Sequence, residues 1–251
     1  MADSVNRFLL ERIRSAHPSG RILDIPAGRG VLSRLFDEAG FDVTPADLFP
    51  EALNWEGRKA IRADMNAPLP FAAAAFDVVV SQEGVEHLEN LALFFRECRR
   101  VLRPAGSLWI TTPNFLDLSS RLAFFLTGMK SFHAGFPNED STLWGREGDR
   151  LYHGHAFTLT YFQIRYLLRV VGFREVRLWG LGSSPASKGL YWLVRPISGA
   201  LVGHALARLR RKSERRGKHP PASDDLARQL KRESLSRELL CHRKICIKAS
   251  V

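Results

Sequence analysis

The 251-residue chain is poor in cysteine, has no uninterrupted apolar run at its amino end, and shows no repeat or low-complexity tract. Its three cysteines, Cys98, Cys241 and Cys246, are odd in number and lack both metal-ligand spacing and a disulfide pattern. They read as small buried hydrophobes in a reducing compartment, and no metal is expected. The opening MADSVNRFLLERIRSAHPSG carries Arg7, Glu11, Arg12 and Arg14, which break any signal-peptide core, so a cytoplasmic location is expected. Acidic residues are the minority. The 26 Asp and Glu against 37 Lys and Arg give +11, which points to anionic partners such as nucleic acid, anionic lipid or a phosphorylated substrate. At 45% hydrophobic and 25% charged, the composition excludes a disordered chain, a collagen and a disulfide knot.

What is present is an alternation. Val5, Phe8, Leu9 and Ile13 recur at helical spacing and predict a helix over 4–16, with residues 1–20 as an amino-terminal lead-in. RILDI (21–25), PAGRG (26–30) and VLSRLFDEAG (31–40) read as strand, glycine loop and helix. Strands are then predicted at 41–48, 59–65 and 76–81, a helix at 91–102, a turn at 103–106 and a strand at 107–114. Strands alternating with helices imply a parallel sheet, and the run Val78, Val79, Val80 suits a strand buried on both faces. The fold class is therefore doubly wound α/β. A helix at 158–171 and strands at 173–180 and 238–250 complete seven strands. Residues 21–181 with 238–251 form the expected main domain, with 115–157 as its lid or acceptor region and 182–237 as a basic, apolar helical excursion.

Glycines 28 and 30 between a first strand and a helix let backbone N–H groups approach a ligand at the helix amino terminus. The stretch GRGVLS (28–33) also passes for a degraded dinucleotide fingerprint, with Ser33 in place of the third glycine. Carboxylates close successive strands: Asp24, Asp47 and Asp64, with Gln82 and Glu83 after the fourth. In open α/β sheets that end is where ligands bind. An acid at 47 suits a ribose diol and one at 64 an adenine amino group, so a nucleoside ligand fits both.

The motifs LDIPAGRG, the acid Asp47, ADM, FDVVVSQEGVEHLEN and ECRRVLRPAGSLWITTPN, in that order, make residues 21–114 resemble a class I S-adenosylmethionine-dependent methyltransferase. HGHAFTLTYFQIRYLLRVVGF (153–173) is similar, more loosely, to the helix preceding an antiparallel strand in the small-molecule group that includes quinone-biosynthesis and cell-surface-glycan enzymes. The resemblance implies a Rossmann-like sheet, mostly parallel with an antiparallel last strand, and S-adenosylmethionine as methyl donor with S-adenosylhomocysteine as product. It implies Asp24, Ala27, Gly28 and Gly30 near the methionine part, Asp47 on the ribose and Leu48 on the adenine. Asp64 and Met65 would hold the adenine edge, with Gln82 and Glu83 on the methyl-donor side. Pro26 departs from the family's commonest motif, which has glycine there; proline fixes φ and removes one donor.

An activated methyl group chiefly needs alignment and exclusion of water. For a hydroxyl acceptor a base helps, and imidazole, with an ordinary pKa of ~6.5, suits that task. The resemblance makes His87 the first candidate; the alternative is a helix-start histidine bonded to a backbone carbonyl. His153, and less so His155, are candidates for holding the acceptor, against the alternative of loop-surface histidines. Glu83 and Glu86 either meet basic substrate groups or stabilise a helix start. The aromatics Phe115, Phe124, Phe125, Phe132, Phe136 and Trp144 within 115–152 suit either an acceptor lid or satellite core.

Residues 189–207 are the most apolar stretch, and 208–218 hold seven basic residues and one acidic. Arg195, Pro196, Ser198 and His204 argue against a free-standing span. An interfacial helix on an anionic membrane through 189–218 is one reading; a helix packed over the site is the other. Nucleic acid is disfavoured because the run lacks interleaved aromatics. The function expected is O-methylation of a small or lipid-linked acceptor. The alternatives are an RNA methyltransferase using the basic segment and a non-catalytic cofactor-binding protein of the same fold. A nicotinamide dehydrogenase lacks its third loop glycine.

Overall fold

The computed structural model describes residues 2–131, 136–147, 150–216 and 224–251. Phe132, the side chain of Trp144 and residues 217–218 of the basic run lie outside what is described. In chain order the elements begin with α1 (Ala2–Ala16), β1 (Arg21–Asp24), α2 (Val31–Glu38), β2 (Asp42–Asp47) and β3 (Ile61–Arg62). They continue with β4 (Phe76–Gln82), α3 (Leu91–Val101), β5 (Leu102–Pro113), α4 (Leu118–Thr127) and α5 (Glu139–Thr142). The hairpin β6 (Leu143–Glu147) and β7 (Arg150–His153), α6 (Tyr161–Val171) and β8 (Glu175–Ser183) follow. Last come α7 (Pro185–Arg216), α8 (Asp224–Ser234), α9 (Arg237–Cys241) and β9 (His242–Ser250).

Seven strands form one sheet in the order β3-β2-β1-β4-β5-β9-β8. The pairs β1/β2, β1/β4, β2/β3 and β4/β5 are parallel. Hydrogen bonds from Asn114 to Arg243 and from Val251 to Gly106 run in opposite chain directions, so β9 is the antiparallel strand. The expected doubly wound sheet is thus what the chain forms. Its order reverses between β1 and β4, the switch point that opens a crevice at the carboxyl ends of these strands.

Four details differ from the sequence reading. Residues 103–106 are not a turn before a strand but an irregularity within β5, where β4 advances from Phe76 to Val78 while β5 advances from Leu102 to Ser107. The third strand shrinks to Ile61–Arg62 because only Ala46 and Asp47 of β2 pair with it. The stretch 238–250 starts as α9, capped by the Ser236 hydroxyl on the Leu239 N–H, before it becomes β9. The helix expected from 158 starts at Tyr161, since Thr160 and Gln163 form a reciprocal capping box.

The chain divides into two compact units: 1–113 with 136–178 and 246–251, and 114–135 with 179–245. In the first, Ile22, Leu23, Val78, Val79, Val80 and Ile110 of the sheet are fully buried, as are Phe36, Phe94, Phe95, Ile164 and Leu168 of helices α2, α3 and α6. In the second, Leu118, Tyr191, Leu240 and Cys241 cluster, with Leu190 and Val194 packed against them. There the Asp117 carboxylate caps α4 and accepts the Ser187 hydroxyl at 2.7 Å, joining α4 to α7. Residues 115–157, expected as a lid, hold α4, α5 and the β6–β7 hairpin. All three cysteines are free and buried, and burial pushes their thiols upward.

Candidate active site

At the carboxyl ends of the parallel strands the first unit has a cavity of about 260 Å³. Asp47 and Leu48 reach it from the end of β2, Asp64 and Met65 from just past β3, Glu83 and His87 from beyond β4, and Tyr152 and His153 from β7. Parallel strands end on the same side of a sheet, and this explains how acids far apart in sequence meet. Asp24, Ala27, Gly28, Gly30 and Gln82 are not among its lining residues.

The glycine loop is stitched to β2. The Gly28 N–H donates to Asp47 Oδ2 at 2.8 Å, the Phe49 N–H donates to Oδ1 at 2.9 Å, and the Ala27 N–H donates to the Ala46 carbonyl. Asp47 therefore fixes the loop while facing the cavity. Gly30 has φ 75°, a left-handed conformation that favours glycine, and a Cβ there would displace the tip of the Leu53 side chain. A Cβ at Gly84 would meet the Pro26 ring at 2.4 Å. The proline that departs from the family pattern thus fills space that Gly84 leaves open.

Asp24 is 1% exposed and accepts the Ser33 hydroxyl at 2.5 Å. Burial pushes its carboxyl up to about 7, the nearby Asp47 charge adds to this, and the Ser33 hydrogen bond opposes it. Gln82 donates to Asn6 at 2.9 Å and so ties α1 to the end of β4. Glu86 is fully buried and accepts the Thr112 hydroxyl at 3.0 Å, unlike a surface charge at a helix start.

His87 Nδ1 lies 3.1 Å from the His153 carbonyl; a carbonyl only accepts, so Nδ1 carries the proton and Nε2 is the basic nitrogen. The backbone-carbonyl alternative weighed from sequence is thus present, and it fixes the tautomer of His87 without removing the ring from the cavity. The His153 ring meets Glu89 at 2.9 Å and packs on Phe157. Glu86, His87 and His155 each bring one donor atom within 4.8 Å of the others, a set a divalent ion would accept. Spacing in the sequence concealed it, because His155 arrives from beyond the hairpin. The sequence reading also missed Phe49, whose ring meets that of Tyr152 edge-on at 5.7 Å, and Asn66, both of which line the cavity. Their only signal was adjacency to the acids at 47 and 64.

Residues 23–110 match the methyltransferase domain family. Over that stretch the chain is similar to methyltransferase domains. The chain is similar to the mitochondrial ubiquinone biosynthesis O-methyltransferase of Mus musculus, 33% identical over 131 residues, 45% of this chain and 35% of that one. The Xanthomonas campestris (strain B100) ubiquinone biosynthesis O-methyltransferase is 30% identical over 122 residues, 44% of this chain and 50% of that one. The chain thus spans between a third and a half of these relatives' length. Among solved structures, an S-adenosylmethionine-dependent methyltransferase from Archaeoglobus fulgidus superposes with TM-score 0.59 at 17% identity, covering 100% of this chain and 95% of that one. A Haemonchus contortus phosphoethanolamine N-methyltransferase, solved with S-adenosylhomocysteine, gives 0.52 at 18% identity over 98% of this chain and 52% of that one. They share the methyltransferase fold.

Proposed function

We propose that the protein transfers a methyl group from S-adenosylmethionine to a hydroxyl of a small or lipid-linked acceptor, such as a quinone precursor or a glycan intermediate. The observation that supports this reading is one cavity lined by Asp47, Asp64 and His87 together. When bound, the donor supplies a methyl group already activated by its sulfonium. Each oxygen of Asp47 accepts one backbone N–H and retains a lone pair for a ribose hydroxyl. Leu48 and Met65 offer apolar surface to a purine, and Asp64 an acceptor for its amino group. Asp24, with Gly28 and Gly30, serves the methionine end, where a carboxyl poised near neutrality is drawn toward its ionised form by an ammonium beside it. Glu83 and Gln82 border the methyl side. His87 Nε2 takes the acceptor's proton, and His153 helps hold the acceptor beneath Phe49 and Tyr152. Isothermal titration with S-adenosylmethionine is expected to show one-to-one binding; a flat trace overturns the reading.

The relatives' name, ubiquinone biosynthesis, favours an apolar acceptor, and the second unit carries surface suited to a lipid phase. In α4, Phe124, Phe125 and Leu126 are 63%, 84% and 62% exposed; in α7, Leu193, Ile197 and Leu201 recur on one stripe at 70%, 64% and 66%. Exposed apolar groups of this size, with Arg195, Arg208, Arg211 and Lys212 also on α7, match an anionic lipid surface. Among the described residues no helix is long and apolar enough to cross a membrane, so the contact would be peripheral. The protein is expected to float with vesicles containing anionic lipid and not with neutral ones, and Phe125→Ser with Ile197→Ser to abolish flotation. Failure of the unaltered protein to float refutes the membrane assignment and leaves methyl transfer standing.

A further inference from the structure

The second unit has a cavity of about 420 Å³, within the ~300–1,000 Å³ range of small-molecule sites. It is lined by Lys188, Tyr191 and Trp192 of α7, Arg237 and Cys241 of α9, and His242 at the start of β9. The guanidinium carbon of Arg237 stands 5.4 Å from the Tyr191 ring centre and 5.3 Å from that of Trp192, so two aromatic rings hold one cation. The rings themselves meet edge-on at 5.3 Å. Tyr191 and Cys241 are buried and form the apolar inner part, while Lys188 and Arg237 are exposed.

Among the described residues, no carboxylate makes an ion pair with Lys188 or Arg237. Both line the cavity together with Cys241, and their charges oppose the upward push that burial gives its thiol. Asp117 and Glu238 act on the same thiol in the opposite sense, and Asp117 is already committed to the α4 cap and the Ser187 hydroxyl. His242 Nδ1 donates to the Arg237 carbonyl at 3.0 Å. A Cβ at Gly180 would lie 2.4 Å from the His242 ring, so glycine is what lets the imidazole lie against β8. The wall is therefore fixed on several sides by local geometry.

We propose that this pocket binds a phosphate group, with Arg237 and Lys188 as its cationic contacts. A guanidinium presents a planar fork of donors that matches phosphate oxygens, and an ammonium adds a compact second charge. Resting the Arg237 guanidinium against two rings lowers the rotamer freedom it loses on meeting the ligand, leaving more of the interaction as affinity. The cavity is larger than phosphate alone, leaving room beside Tyr191 and Trp192 for the apolar or sugar portion of a phosphate ester. Two sources carry that chemistry: a lipid headgroup, or a free phosphate or soluble phosphomonoester.

The test uses the full chain and follows binding by isothermal titration and by flotation. Inorganic phosphate and glycerol 3-phosphate are the soluble probes; vesicles of phosphatidic acid in phosphatidylcholine, against phosphatidylglycerol in phosphatidylcholine, are the lipid probes. Binding of a soluble probe supports the free-phosphate source, and a preference for phosphatidic acid over phosphatidylglycerol supports the headgroup. In either case Arg237→Gln is expected to weaken binding about tenfold or more, as for a lost charge-assisted contact, and Arg237→Lys to restore only part of it. Lys188→Gln, at an exposed position of α7, gives the same direction of change should Arg237→Gln fail to fold. Titration with S-adenosylmethionine is expected to be unchanged in these variants, which separates this pocket's failure from failure of the methyl-transfer reading. No binding of any probe, or equal binding by unaltered protein and both variants, overturns the proposal.

Discussion

Asp47→Ala is expected to weaken S-adenosylmethionine binding by roughly 1.5–3 kcal/mol, about 10- to 150-fold, which is the size of a lost charge-assisted hydrogen bond. The carboxylate has two tasks: its oxygens accept the N–H groups of Gly28 and Phe49, and it faces the cavity. Removing it therefore also leaves two backbone donors without their acceptor and slackens the glycine loop. Asp47→Asn separates these contributions, because one amide oxygen still accepts while the negative charge is gone. Its amide nitrogen faces the other N–H donor to donor, so the asparagine variant is expected to melt between the alanine variant and the unaltered protein and to bind the donor more weakly. Calorimetry with thermal unfolding measures both quantities, and an unchanged dissociation constant in the alanine variant would falsify the ribose role.

Turnover should depend as steeply on His87. Because Nδ1 is committed to the His153 carbonyl, the basic nitrogen of the ring is Nε2, and the residue lines the same cavity as Glu83. A positioned general base typically contributes 10²- to 10⁴-fold, so His87→Ala is expected to lower kcat by about 100-fold or more. Donor affinity should stay within about twofold, since the adenosine-side acids are untouched. Methyl transfer to a soluble catechol, read as kcat and KM separately, decides the matter. Retained kcat removes His87 from proton transfer, whereas a rise in KM alone makes it an acceptor-holding residue.

The parts of the fold that were legible share a physical cause. Val78, Val79 and Val80 declare a strand buried on both faces, and Asp24, Asp47 and the Gln82–Glu83 pair mark strand ends, because a buried parallel strand admits polar groups only where it emerges. The acids at 47 and 64 are thus assignable to one crevice from strand ends alone, whereas the imidazole at 87 was placed there by the family resemblance. What was hidden depends on contacts between distant segments. Nothing local distinguishes Tyr152 from other loop residues, and His153 was marked only by the resemblance; among the described residues the hairpin that brings Tyr152 to Phe49 forms a two-stranded sheet of its own. The RPAG run looks like a turn because Pro and Gly favour one, and pairing with Phe76 on one side and Val78 on the other holds it within β5. The exposed phenylalanines of α4 were invisible as a surface because composition does not say which side of a helix finds a partner.

The contact between Pro26 and Gly84 has a consequence for how the site can diverge. A side chain at 84 would overlap the pyrrolidine ring, so the two positions form an epistatic pair. An alanine at 84 becomes sterically admissible only after the ring at 26 has been surrendered, whereas glycine at 26 is compatible with either neighbour. Descendants of this sequence can therefore leave the proline-bearing loop in one order and not the other, and two changes that are each commonplace elsewhere are contingent on one another here.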